Sequence, residues 1–330
     1  MQRYQFMFSA FRLTLAMLGV FATWSAPVVA APSYSVSFND PDGAYSSYYP
    51  EITTGVLAAG AAWNRYITGV PGSSLKLERE FVPSVATTDG ASTSTTYLRT
   101  VNGINIFEQG AATTLITGVS PNGLGPNGVI QIGTNYLKND IWFDPDPYAR
   151  TTVVPANKID AQSDLLHEIG HILGFSGLFN PVTGQSPAGN YETTYDQYVS
   201  HASGDIFFTG PNAEAVYGGP VPLTSGNYRH VGNRAPRPGE DLLPDLMNGV
   251  EFFNGRRYYI SQLDAAILAD TGVPVNSEFA IPEPSSILVL SFGSAVMLLA
   301  GRCFTWYQVS RSSSRGRHSR WNPWRGRRHG

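Results

Sequence analysis

Cysteine is all but absent. The one thiol, Cys303, lies near the C-terminal end, so the stretch from residue 31 to 280 can form no internal disulfide. That stretch must be stabilised by packing and by any ions it binds, and it holds no thiolate that could block a metal site from within. Basic residues are scarce in the same region. Of 22 Lys and Arg, Arg3 and Arg12 precede it and eight lie beyond Pro284, leaving 12 against 24 of the 25 Asp and Glu. The formal charge of −3 therefore hides an acidic central segment, which argues against nucleic acid as a partner because nucleic acid selects basic patches. Histidine is rare too, at six. No internal repeat is present, and the chain between Ala31 and the first predicted strand is too short for a folded prodomain.

What is present at the ends is patterned. Arg3 and Arg12 precede an apolar run from Leu13 to Trp24, and Ala26-Pro-Val-Val-Ala30 supplies small residues before Ala31. That order predicts a secretory signal peptide over residues 1–30, with an apolar run too short to span a bilayer. At the other end, Ile281-Pro-Glu-Pro284 is followed by an apolar run from Ile287 to Gly301 and an arginine-rich tail from Arg302 to Arg328. This order resembles a PEP-CTERM sorting signal over residues 281–330, with an ordinary C-terminal anchor, its positive charges kept inside, as the other reading. The resemblance implies sorting and processing machinery at the envelope of a Gram-negative bacterium as a partner. Either reading places residues 31–280 outside the cytoplasm.

The constellation that dictates a chemistry is Asp164-Leu-Leu-His-Glu-Ile-Gly-His-Ile-Leu-Gly-Phe-Ser-Gly177. On a helix of 3.6 residues per turn, His167 and His171 project from nearly one face, one turn apart. They can bind one metal ion together. Glu168 is rotated about 100° from His167, beside the metal rather than on it, where it can take a proton from a water; this is the division of labour in H-E-x-x-H metalloproteases. Leu165, Ile169, Ile172 and Leu173 form an apolar stripe. Gly170 and Gly174 permit close backbone approach, and Gly174 suits a left-handed C-terminal cap.

Catalytic zinc usually takes three protein ligands, so a third is required. The stretch matches the extended metzincin pattern through Gly174, but the position of its last histidine falls on Gly177. It resembles instead the leishmanolysin-like branch of the metzincins, H-E-x-x-H-x-x-G-F-S, whose third histidine follows a long insertion and precedes a Met-turn. The resemblance carries His230, in Tyr228-Arg-His230, to the third ligand and Met247, in Pro244-Asp-Leu-Met-Asn-Gly249, to the Met-turn. His201 is the competing ligand, with Asp196 and Asp205 behind it.

Along residues 31–280, about 250 residues suit one large domain or one domain with two lobes around a cleft. Alternation predicts a strand at Ser33 to Asn39, and helical spacing of Val56, Ala59, Trp63 and Tyr66 predicts a helix from Tyr49 to Ile67. Leu75 to Val82 reads as a strand, Thr87 to Thr96 as an exposed Ser/Thr-rich loop, and the runs Thr113–Thr117 and Gly128–Gly133 as strands. Ile141 to Phe143 is either the sheet edge that pairs with extended peptide or a plain core strand. Asp160 is a good N-cap for the metal helix. Asn180 to Arg237 reads as a long loop-rich insertion, and Ile260 to Asp270, starting at Ser261, as a final helix.

The resemblance implies an α+β, metzincin-like fold: a mixed twisted sheet and active-site helix in an upper lobe, and a loop-rich lower lobe closed by a C-terminal helix. It implies an exported zinc metalloendopeptidase with Zn2+ on His167, His171 and His230, and Glu168 as general base. Tyr228 or Tyr258 could serve an oxyanion. A surface or matrix adhesion module and a non-peptidase zinc hydrolase are the competing functions; Glu168 weighs against the former, which needs no general base. If the terminal signals are read correctly, mass spectrometry of the mature protein from its native envelope will find an N-terminus near Ala31 and no arginine-rich tail. Intact termini would refute this.

Overall fold

The computed structural model describes residues 29–180, 183, 186 and 189–276. The expectations for residues 1–28 and 277–330 lie outside the described residues. Along the chain run β1 (Ser33–Asn39), α1 (Tyr49–Trp63), β2 (Ser74–Val82), β3 (Thr88–Ser92), β4 (Thr95–Val101), β5 (Ile104–Gln109), α2 (Gly110–Thr117), β6 (Gly128–Gly133) and α3 (Thr134–Asn139). Then come β7 (Ile141–Trp142), β8 (Ile159–Asp160), α4 (Ala161–Leu173), β9 (Tyr191–Thr193), β10 (Val199–Ala202), β11 (Asp205–Phe208), α5 (Pro211–Tyr217), β12 (Val221–Pro222) and α6 (Gln262–Asp270). The architecture is α+β with several sheets. Among the described residues, no helix is long and apolar enough to cross a membrane.

The main sheet has the order β1-β2-β6-β3, parallel except for β3, which runs antiparallel to β6 and forms an edge. Helices α1 and α4 pack against each other and both against this sheet, α1 on β1 and α4 on β3 and β6. Its stripe of Leu165, Ile169, Ile172 and Leu173 is buried, and the indole of Trp63 donates to the Leu166 carbonyl at 2.9 Å, tying α1 to α4. The strands at 33–39, 75–82 and 128–133 and the helices at 49–63 and 262–270 stand where periodicity puts them, although α1 ends at Trp63 rather than Ile67.

Four expectations are corrected. Residues 113–117 belong to the helix α2, not a strand: Thr114 and Thr117 hydroxyls bond carbonyls four residues back, Ala111, Ala112 and Leu115 are buried, and Gly118 closes the helix at φ 75°. The stretch 87–96 is not a loop but contains β3 and the start of β4. Ile141–Trp142 pairs only with β8, in a two-stranded parallel ribbon, so it is no edge of the main sheet. The 180–237 insertion carries more order than its Gly and Pro content suggests, with the β10-β11-β12 sheet and the helix α5.

Gly174 also departs from expectation. Its φ of 177° is extended, so there is no left-handed cap. Its role is close approach to α6: a Cβ there would meet Thr271 Oγ1 at 2.6 Å and Leu268 Cδ2 at 3.0 Å.

The start of α4 is set by charge. Asp160 caps it, accepting from the Ser163 backbone N–H and hydroxyl. The same carboxylate takes Arg150 at 2.5 Å and Arg257 at 3.4 Å, while Arg257 also pairs with Asp144 at 2.5 Å, all four side chains being nearly or wholly buried. Breaking a buried pair leaves an uncompensated charge, and the cap is lost with it. Asp160→Ala is therefore expected to cost about 3–5 kcal/mol of unfolding free energy, read from denaturant titration. A loss below about 1 kcal/mol, the range of a solvated surface pair, would show that the cluster does not hold α4 in place.

Candidate metal centre

Helix α4 presents His167 and His171 on one face, and the loop after β12 brings His230 to meet them. The three Nε2 atoms lie 3.0 Å (His167 to His230), 3.1 Å (His167 to His171) and 2.9 Å (His171 to His230) apart. Three nitrogens each ~2.0–2.1 Å from one ion are separated by about this much. His230 is positioned by a backbone ladder: its neighbour Val231 donates to the Met247 carbonyl at 2.9 Å and accepts from Gly249 N–H at 3.2 Å. Gly249 is tolerated there because a Cβ would meet His230 Cβ at 2.5 Å.

The outer nitrogens fix the tautomers. His167 Nδ1 faces the Leu246 carbonyl at 2.7 Å and His171 Nδ1 the Phe175 carbonyl at 2.6 Å. A carbonyl only accepts, so each Nδ1 carries the proton and each Nε2 turns a lone pair inward. Burial lowers the pKa of His167 to about 4 and of His171 to about 3, and burial with its two histidine neighbours holds His230 well below the usual range. The inward lone pairs of His167 and His171 meet the His230 Nε2 at one point and repel each other unless a cation sits between them. The donor set fits a metal ion, and these three residues are the one such cluster among the described residues.

Met247 is wholly buried beneath the site, and a Cβ on Gly170 would meet its sulfur at 2.7 Å. The ring of Phe252 stands edge-on to His167 at 5.3 Å and stacks on Tyr258 at 4.1 Å.

Glu168 lies beside the histidines at the sheet edge. Its Oε1 accepts the Thr88 hydroxyl at 2.6 Å, and Oε2 is buried without a partner. Gly90 is required by contact: a Cβ would lie 2.8 Å from Glu168 Oε2. Burial pushes the carboxyl up to about 7, opposed by the Thr88 bond, by the Arg79 charge and by Gly90, while Asp89 adds to the rise. Arg79, wholly buried on β2, faces both Glu168 and Asp164, and burial brings its own pKa down to about 9.

A cavity of about 600 Å³ fronts the three histidines and Glu168, walled by Thr87 and Thr88 on one side and by Asn248 to Phe252 on the other. Thr88, Gly90 and Tyr136 had no signature in the sequence beyond the glycine. Of the other ligand candidates, His201 stands exposed on β10 and Asp205 pairs with Arg237. Asp196 is buried, accepting from Leu178, Thr193 and Tyr228. Neither tyrosine considered for an oxyanion lines the cavity: the Tyr228 hydroxyl donates to Asp196, and that of Tyr258 accepts from Phe253 N–H. No family model, curated protein or solved structure matches this chain.

The floor carries a second acid pair. Asp245 takes the Met247 N–H at 2.9 Å, and Asp264, in the capping box of α6, keeps its Oδ1 buried without a partner. Burial, then Asp245, holds Asp264 well above the usual carboxylate range. A raised folded pKa means stability that is full below the unfolded value of about 3.9 and is lost as pH rises through the folded one. Unfolding free energy is thus predicted to fall from pH ~4 upward more steeply in wild type than in Asp264→Asn, whose carboxamide donates at every pH. Parallel pH profiles would refute the raised Asp264 carboxyl.

Metal binding is checked by thermal unfolding: a hundredfold excess over Kd should stabilise wild type and His201→Ala by about 3 kcal/mol. The same excess should do little for His230→Ala. An equal shift in His230→Ala would remove that residue from the site.

Proposed function

We propose that this chain is an exported zinc metalloendopeptidase of metzincin-like organisation. The observation that carries the reading is the pairing of three converging Nε2 atoms with a buried carboxylate one residue after the first histidine, all on one cavity. Zinc is the metal proposed because three imidazoles and an open position suit it.

A zinc ion on His167, His171 and His230 supplies Lewis acidity, lowering the pKa of a water towards ~7 and polarising a carbonyl. The protein's own groups do the rest. Glu168 would take the proton of the attacking water and return it to the leaving amine. Thr88 holds that carboxylate in one orientation while Oε2 has no partner.

The substrate's path follows β3. The bonds from Gly133 to Thr87 and from Thr93 to Asn127 bracket the β6 ladder, so the alternate residues Thr88, Gly90 and Ser92 turn their backbone groups away from β6. An edge strand of this kind can take an extended peptide by β-augmentation. This role passes to β3 from Ile141–Phe143.

Glu168→Gln should keep its metal and lose activity on the order of 10³-fold, measured as peptide cleavage alongside metal content. Cleavage by this variant at the wild-type rate would remove Glu168 as the base.

A further inference from the structure

The cavity is acidic beyond what the reaction needs. Besides Glu168 it is lined by Asp89, Asp140, Asp164 and Glu251, and no Lys or Arg lines it. Glu251 is matched by Arg234 at 2.5 Å. Asp89 and Asp140 are exposed and take part in no ion pair among the described residues. Lys158, from the loop before β8, gives its ammonium to the Asn139 carbonyl rather than to Asp140.

Two of these carboxyls are gathered at one end of the cavity by the fold. Asp140 follows α3, its N–H bonded to the Tyr136 carbonyl at 2.9 Å and its own carbonyl accepting from Ile159 N–H at 2.9 Å. Asp164, one turn before Glu168 on α4, is 5 % exposed and accepts the Tyr136 hydroxyl at 2.7 Å. Tyr136 and Ile159 therefore form apolar walls between an exposed carboxylate and a buried one. On the same cavity opens Glu168 Oε2, buried and without a partner, which marks the space as one built to receive a ligand.

Charge decides what fits. A neutral side chain seated here leaves Asp164 desolvated, and burial already drives that carboxyl up to about 8 against the opposing Arg79 charge. A cation with a long aliphatic stem satisfies both surfaces at once, stem on the apolar walls and head between the carboxyls. An acidic side chain adds a like charge in a confined space.

We infer that the cleft selects peptides bearing a lysine or arginine side chain, seated at the α3–β8 end between Asp140 and Asp164 with its stem against Ile159 and Tyr136. This rests on reading the cavity as a peptide-binding cleft.

The test uses fluorogenic peptides identical except for Lys, Arg, Leu or Glu at the positions flanking the scissile bond. Cleavage is measured with zinc-loaded wild type and Asp140→Asn, and binding of the same peptides with Glu168→Gln. Wild type should favour Lys and Arg over Leu by roughly tenfold in kcat/KM, and over Glu by more. The ratio should shrink several-fold in Asp140→Asn and in about 0.5 M salt. Equal cleavage of all four peptides overturns the inference and leaves the hydrolase reading standing. Tighter binding of Lys and Arg peptides by Glu168→Gln, with no peptide cleaved by wild type, keeps the ligand class and overturns the hydrolase. An undiminished preference in Asp140→Asn overturns the placement of the cation.

Discussion

Everything at the centre of this molecule follows from three buried imidazoles held with their Nε2 atoms at one point. That arrangement is unfavourable by itself: burial keeps each ring from taking a second proton, and the inward lone pairs of His167 and His171 face each other with no charge between them. The protein imposes it with carbonyl acceptors behind His167 and His171 and with a backbone ladder from Val231 to the Met247 turn. A divalent cation would convert that repulsion into coordination, linking the site to the stability of the loops around it.

The scaffold supplies rigidity where that arrangement needs it. The N-terminus of α4 is fixed by Asp160 and two arginines, its middle by Trp63 and the apolar stripe, and its end by the contact of Gly174 with α6. Beneath it Asp245 accepts the Met247 N–H, and Ser261 with Asp264 caps α6. With no cysteine in this region, buried ion pairs rather than covalent links fix the start of α4.

What could be read in the sequence was whatever is local in sequence. His167, Glu168 and His171 lie within five residues on one helix, and the strands and helices with clean periodicity stand where that periodicity puts them. His230 could be reached only through its resemblance to a distant-histidine pattern, since 59 residues separate it from His171. The orientation of Glu168 could not be read at all. It depends on β3, whose sequence Thr-Asp-Gly-Ala-Ser has little strand propensity and becomes a strand because β6 offers an unpaired edge. The threonines of α2 misled in the opposite sense: β-branching suggested a strand, but the hydroxyls bond back along the helix.

The central claim is that these three nitrogens, and not some other set, hold one zinc ion. X-ray absorption at the zinc edge on metal-reconstituted protein tests it most directly. The account predicts one ion per chain with three imidazole nitrogens at about 2.0–2.1 Å and a single light-atom ligand completing the shell. A first shell with two or fewer imidazoles, or no retained zinc after dialysis, would contradict it.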